Sequence, residues 1–246
     1  MNGILRWLGI GALVLLLAGC IKLDQTLTLN KDGSGTLDIR YGMAEQTIAQ
    51  LEAMERMSQQ DAADSDAGAE EGSPFDFDEA EVRAKFEQDK PEGVELVSVA
   101  SEVVDGWKYM KMRLSFDDLE ALKRTDFFED SDLSISRDDN GNYVLTQKTG
   151  ADEAGIGDAP GGDDAEDPMA AAMMEQMAAM FAGLRIATSV VAPSEILESN
   201  ATSVEGNKAT WVFDIDEDPT VLSKLNGMDL KMVFSGDGVD LPIVEP

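Results

Sequence analysis

Cys20 is the only thiol in a chain of 246 residues, and it closes an apolar run, LVLLLAGC, at residues 13 to 20. A thiolate can serve as a nucleophile or a metal ligand, but the usual partners for that chemistry are missing. The sequence contains no histidine, which removes the commonest general base, the usual zinc ligand and every serine–histidine triad. Carboxylates remain, and a pair of them could hydrolyse a glycosidic bond. With 49 acids in the chain, however, no two are singled out, and the excess reads as solvation. The residue types therefore point to a non-enzymatic protein with no cofactor. Calcium is the alternative chemistry, because hard oxygen ligands abound. Asp138-Asp139-Asn140-Gly141-Asn142 offers suitable donors but lacks the bidentate Glu of a calcium loop and fits a plain hairpin turn. Asp214-Asp216-Glu217-Asp218 is a second cluster, which fits a strand end followed by a helix N-terminus. Neither is assigned as a metal site. Asp32-Gly33-Ser34-Gly35 lies between two strands and leads into no helix, so it lacks the context of a phosphate-cradling loop.

The chemistry left for Cys20 comes from what precedes it. Residues 1 to 19 carry one positive side chain, Arg6, then an apolar stretch from Trp7 to Gly19 that ends in small residues, the layout of an export signal. A spanning helix needs roughly 20 apolar residues, and Lys22 and Asp24 end this run early. Leu17-Ala18-Gly19-Cys20 resembles the lipobox of bacterial lipoproteins. That resemblance implies thioether lipidation of Cys20, cleavage before it, and acylation of the new amino terminus with palmitate-type chains. Each buried methylene contributes about 0.8 kcal/mol, and more than one chain is needed for stable anchoring. Ile21 follows the cysteine, where an Asp would resemble an inner-membrane retention signal, which points to the outer membrane in an envelope with two.

Removing 19 residues from 246 leaves 227, enough for a substantial core. The expected organisation is a signal peptide at 1–19 and a single α+β domain at 20–246, with acidic flexible insertions at about 60–76 and 150–167. The formal charge of −30 repels phosphate backbones, so nucleic acid is not expected as a partner. With Cys20 acylated, no thiol is left for a disulfide.

Alternation of apolar and polar residues predicts two strands around Asn30–Gly35, starting directly at the anchor, with Asp32-Gly33 as the turn. Helical spacing of Ile48, Leu51 and Met54 predicts a helix over 44–59, and a second is expected over 78–89, ended by Lys90-Pro91. Strands follow at VELVSVASEVV and WKYMKMRLSF, with a turn at Asp105-Gly106, then a short helix over 115–124 with Ser115 as N-cap and Asp118 completing a capping box. A hairpin turns at Asn140-Gly141. A helix opened by Pro168 and closed by Gly183 carries a stripe of Met169, Met173, Met177 and Met180 with Phe181 beside it. This stripe serves either packing against a sheet or an adaptable ligand-binding surface. Strands RIATSVVAP, KATWVFDID and DLKMVFSG complete the chain, with a short helix near Asp218-Pro219. Hairpin-linked strands pair antiparallel, so the expected fold class is α+β: an antiparallel, hairpin-rich sheet with helices packed on one face.

A lipidated cysteine, a hairpin carrying Asp32-Gly33-Ser34-Gly35, a following helix, and later Pro193-Ser194-Glu195-Ile196, Ser199-Asn200-Ala201, Glu205-Gly206-Asn207 and Thr210-Trp211 resemble the LppM-type domain of bacterial envelope lipoproteins. The resemblance spans residues 20 to about 235, with Ser194 where the family often has Gly. It implies an envelope-anchored domain, in some members linked to lipid or glycolipid binding, with no catalytic residues to carry over. Taken together, the sequence predicts a lipid-anchored envelope protein that binds a lipid, a glycolipid or an envelope protein.

Overall fold

The computed structural model describes residues 21–62, 77–125, 127–128, 132–148, 183–218 and 229–245. Eleven strands and three helices lie within them. β1 (Ile21–Leu29), β2 (Gly35–Ala44), α1 (Glu45–Ala62), α2 (Glu79–Asp89), β3 (Val94–Val104), β4 (Trp107–Phe116) and α3 (Leu119–Lys123) come first. They are followed by β5 (Asp132–Arg137), β6 (Tyr143–Lys148), β7 (Arg185–Val191), β8 (Ile196–Ser199), β9 (Ser203–Glu205), β10 (Lys208–Asp214) and β11 (Asp229–Phe234). None of the described helices is long and apolar enough to cross a membrane.

The strands form two sheets, a seven-stranded one in the order β3-β4-β2-β1-β7-β10-β9 and a four-stranded one in the order β5-β6-β11-β8. Four hairpins form where turn residues supply the backbone geometry. Gly33 has φ 92°, Asp105 and Gly106 have φ 52° and 76°, Gly141 has φ 82° and Gly206, between β9 and β10, has φ 61°, the left-handed conformations such tight turns need. The large sheet is not wholly antiparallel, however. β1 and β7 run parallel, from Lys22 opposite Arg185 to Thr28 opposite Val191. Turn chemistry fixes the direction of neighbours in sequence only, whereas β1 and β7 come from opposite ends of the chain and meet through a long crossover.

Period-two alternation divides the large sheet into two faces. Leu23, Gln25, Leu27 and Leu29 of β1 share the inner face with Leu37, Ile39 and Tyr41 of β2 and Met110, Met112, Leu114 and Phe116 of β4. One buried cluster joins this face to Leu119 and Leu122 of α3 and to Leu133, Ile135, Leu145, Met232 and Phe234 of the small sheet. At the end of β1 away from Ile21, the link is direct: the Asp240 N–H donates to the Lys31 carbonyl at 2.8 Å, and Pro242 lies against Gly33.

The expected capping box at Ser115 is replaced by a different start. Ser115 stays in β4, paired with Thr36 and Glu95, and the ladder it completes outweighs a cap. Asp118 is the N-cap of α3, its carboxylate accepting from the Ala121 N–H at 2.7 Å. β8 and β9 are strands the sequence reading does not anticipate. Asn200 between them clasps the two sheets together: its Oδ1 accepts from Trp211 Nε1 of β10 and from the Lys231 N–H of β11, both at 2.9 Å.

Candidate functional site: a chamber beneath helix α2

A cavity of about 420 Å³ lies between the inner face of the large sheet and α2. Its floor is Leu23 and Gln25 of β1, Ile39 and Tyr41 of β2, and Met112 of β4. Val82 and Phe86 of α2 form the roof, Lys85, Asp89 and Lys90 stand along the helix, and Pro91, Thr125 and Phe127 complete the wall. The sequence explains why space is left here. Helix EAEVRAKFEQD has only two large apolar residues, Val82 and Phe86, at i and i+4, and it buries none of its residues fully. Such a narrow stripe covers the sheet without filling the gap beneath it.

Two polar latches hold the roof in place. At the start of α2, Glu79 Oε1 accepts from the Ser101 N–H at 2.7 Å and from Ser101 Oγ at 2.9 Å. These bonds hold the Glu79 carboxyl below its ordinary value of 4.5, because they favour the charged form. The Ser101 N–H belongs to edge strand β3, so the same contact shields part of that edge. At the other end, Lys90 Nζ lies 2.8 Å from Glu95 and 3.1 Å from Glu87. The hydrogen bond from Lys90 to Glu95, then that to Glu87, raises its pKa above the ordinary 10.5. Phe77, just before the helix, meets Tyr41 edge-on at 5.5 Å.

Three lining side chains have no hydrogen-bond or ionic partner among the described residues: the Gln25 carboxamide in the floor and, along the helix, the Lys85 ammonium and the Asp89 carboxylate. Gln25 interrupts the apolar alternation of β1, and its polar atoms in a mostly apolar floor are available to a ligand. Asp89 is the single carboxylate in the lining, whereas glycoside hydrolysis takes two flanking carboxyls. The chamber can therefore enclose an apolar group and present one amide, one cation and one carboxylate to a polar head. Its volume falls within the range of about 300–1,000 Å³ usual for small-molecule sites.

The opposite face of the sheet is polar and internally compensated. Asp24 bridges Arg185 at 2.7 Å and Arg40 at 3.3 Å. Glu102 takes Lys111 at 2.7 Å and Arg40 at 3.6 Å, and the Lys111 hydrogen bond is the main reason its pKa falls. Asp38 takes Arg113 at 2.6 Å.

Of the residues singled out from sequence, Cys20, next to Ile21 of β1 in the chain, lies outside the described residues; so do Met169, Met173, Met177, Met180 and Phe181 and most of both acidic stretches. The candidate calcium donors are engaged in local structure. Asp138 accepts from the Asn140 and Asn142 N–H groups at 2.9 and 2.8 Å and from Asn142 Nδ2 at 3.1 Å. Asp214 faces Arg185 at 3.7 Å and accepts from the Asp216 N–H, while Asp216 accepts from the Gly183 N–H at 2.8 Å. Among the described residues no group of three or more such ligands converges. The Asp32 loop closes on itself, its carboxylate accepting from the Ser34 N–H and hydroxyl. Sequence reasoning missed the chamber, although two signals were present: Gln25 breaking an apolar alternation, and Val82 with Phe86 as a two-residue stripe.

No family model matches the chain, and no curated protein matches it. Among solved structures, the NMR structure of the folded domain of the LppM protein of Mycobacterium tuberculosis is similar, with a TM-score of 0.44 and 13% identity over 91% of this chain and 92% of that one.

Proposed function

We propose that the protein is a non-enzymatic envelope lipoprotein, acylated at Cys20, whose α+β domain holds a lipid-type ligand in the chamber beneath α2. The observation that carries this reading is the chamber itself: an apolar floor and roof, with Gln25 and Lys85 placed to receive a polar head. Burying acyl methylenes there gains about 0.8 kcal/mol each, while the head group remains near solvent. The lipobox-like Leu17-Ala18-Gly19-Cys20 supports the anchor and the envelope location, and the absence of histidine from the sequence supports a binding role over a catalytic one.

The ligand is tested by displacement. A fluorescent fatty acid added to the purified protein should brighten on binding, and Met112→Trp, which fills the floor, should abolish the signal while circular dichroism stays unchanged. Wild type that fails to bind the probe and yields no lipid on organic extraction overturns the ligand and leaves a protein-interaction module. The anchor is tested by labelling with a radioactive fatty acid: wild type should be labelled and Cys20→Ala should not, and equal labelling of both refutes it.

A further inference from the structure

β1 begins at Ile21, the residue joined to Cys20, and is paired on both sides almost from its start, at Ile21 with Met43 and at Lys22 with Arg185. No linker separates the sheet from the cysteine. If the acyl chains proposed above sit in a bilayer, the end of the sheet that contains Ile21 must lie against that bilayer's surface.

The register identifies what else stands at this end. Ile21 is opposite Met43, Met43 opposite Lys108, and Lys108 opposite Val103; one step further out, Ala44, Trp107 and Val104 align. The tip of the β3–β4 hairpin is thus level with the anchor and three strand spacings away, about 14 Å. Val103 and Val104 are 56% and 44% exposed. Trp107 is half-buried, stacked on Tyr109, with Lys22 Nζ 4.1 Å from its ring centroid. On the other flank of the anchor, β7 begins at Arg185 and β10 ends at Asp214, followed by Asp216, Glu217 and Asp218. One flank offers exposed valines, an aromatic ring and two lysines, Lys22 and Lys108. The other offers carboxylates, which an anionic surface repels.

We infer that the tip of the β3–β4 hairpin is a second membrane contact, with Val103, Val104 and Trp107 entering the headgroup layer and Lys22 and Lys108 reaching anionic lipid heads. The inference rests on the Cys20 anchor. Tryptophan favours this interfacial depth, and lysine stems can lie along apolar groups while their charges stay in water. Asp105 at the turn and Glu45 at the start of α1 keep the contact shallow, because a carboxylate is costly in hydrocarbon.

The test uses the mature lipidated protein in phosphatidylcholine–phosphatidylglycerol vesicles, with and without bromine near the top of the acyl chains. Loss of the signal segment removes Trp7 and leaves Trp107 and the buried Trp211. Bromine should quench the Trp107 share of the emission. The effect should vanish in Trp107→Phe and in the doubly substituted Val103→Asp/Val104→Asp protein, which should still float with the vesicles. Protein that floats with equal emission in both vesicle types, or quenching that persists in Trp107→Phe, overturns the contact while the anchor stands. Protein that fails to float overturns the anchor and the contact together.

Discussion

The two halves of the central strands have the same residue pattern but opposite surroundings. Toward the small sheet, Leu27, Leu29, Leu37, Leu114 and Phe116 are buried against a second layer of strands and α3. Toward Ile21, the same strands place Leu23, Gln25 and Tyr41 under a single helix that leaves a cavity. The inner-face alternation runs along β1 with one break, at Gln25, yet its burial rises only at the far end. What differs is the covering layer: a sheet with a large apolar face fills the gap, whereas a helix with two apolar residues does not. One end of the sheet thus supplies stability, and the other is left free to hold a ligand.

The largest expected effect breaks this contrast directly. Leu114→Ala, in the filled half, should cost about 2–5 kcal/mol, whereas Leu23→Ala, lining the chamber, should cost about 1 kcal/mol or less because a partly exposed side chain buries less on folding. Urea unfolding measures both, and equal losses would remove the distinction. Next comes the clasp between sheets: Asn200→Ala leaves the Trp211 indole N–H and the Lys231 N–H without their acceptor and should cost about 1–3 kcal/mol, read as a lower urea midpoint. A smaller effect separates the two helix caps. Asp118→Ala should cost about 1 kcal/mol of global stability. Asp78→Ala, which removes the cap of α2, should instead raise amide hydrogen exchange in α2 and leave the sheets unchanged.

The smallest effect sharpens the contrast through pH. The Glu79 carboxyl is held below its ordinary 4.5 by its Ser101 hydrogen bonds. Its stabilising effect is therefore complete above that value and is lost as the pH falls through the lowered folded one. Amide protection factors, which remove the intrinsic slowing of exchange in acid, should fall in α2 on acidification before they fall in β2 and β4. In Glu79→Gln the pH-dependent part of that loss of protection should disappear.

Much of the architecture could be read from local patterns. Asp32-Gly33, Asp105-Gly106 and Asn140-Gly141 mark hairpins because only a few residue types tolerate the backbone angles required. The parallel β1–β7 junction could not be read this way, since no turn connects those strands. β8 and β9, at four and three residues, are too short to display a period. Ser115 was misread because a cap signature and a strand end use the same residue types, and cross-strand pairing settled the matter. The chamber was harder still. Its lining comes from β1, β2, β4, α2 and the segment after α3, and space between elements leaves no run of residues to recognise. Gln25, Val82 and Phe86 hinted at it only as small departures from an expected pattern.

Native mass spectrometry of the protein purified from membranes tests the central claim most directly. The account predicts one lipid bound per chain, lost in Ile39→Trp, where the floor of the chamber is filled. Wild-type protein that carries no lipid and takes up none from a membrane extract, or Ile39→Trp that binds as wild type does, would contradict it.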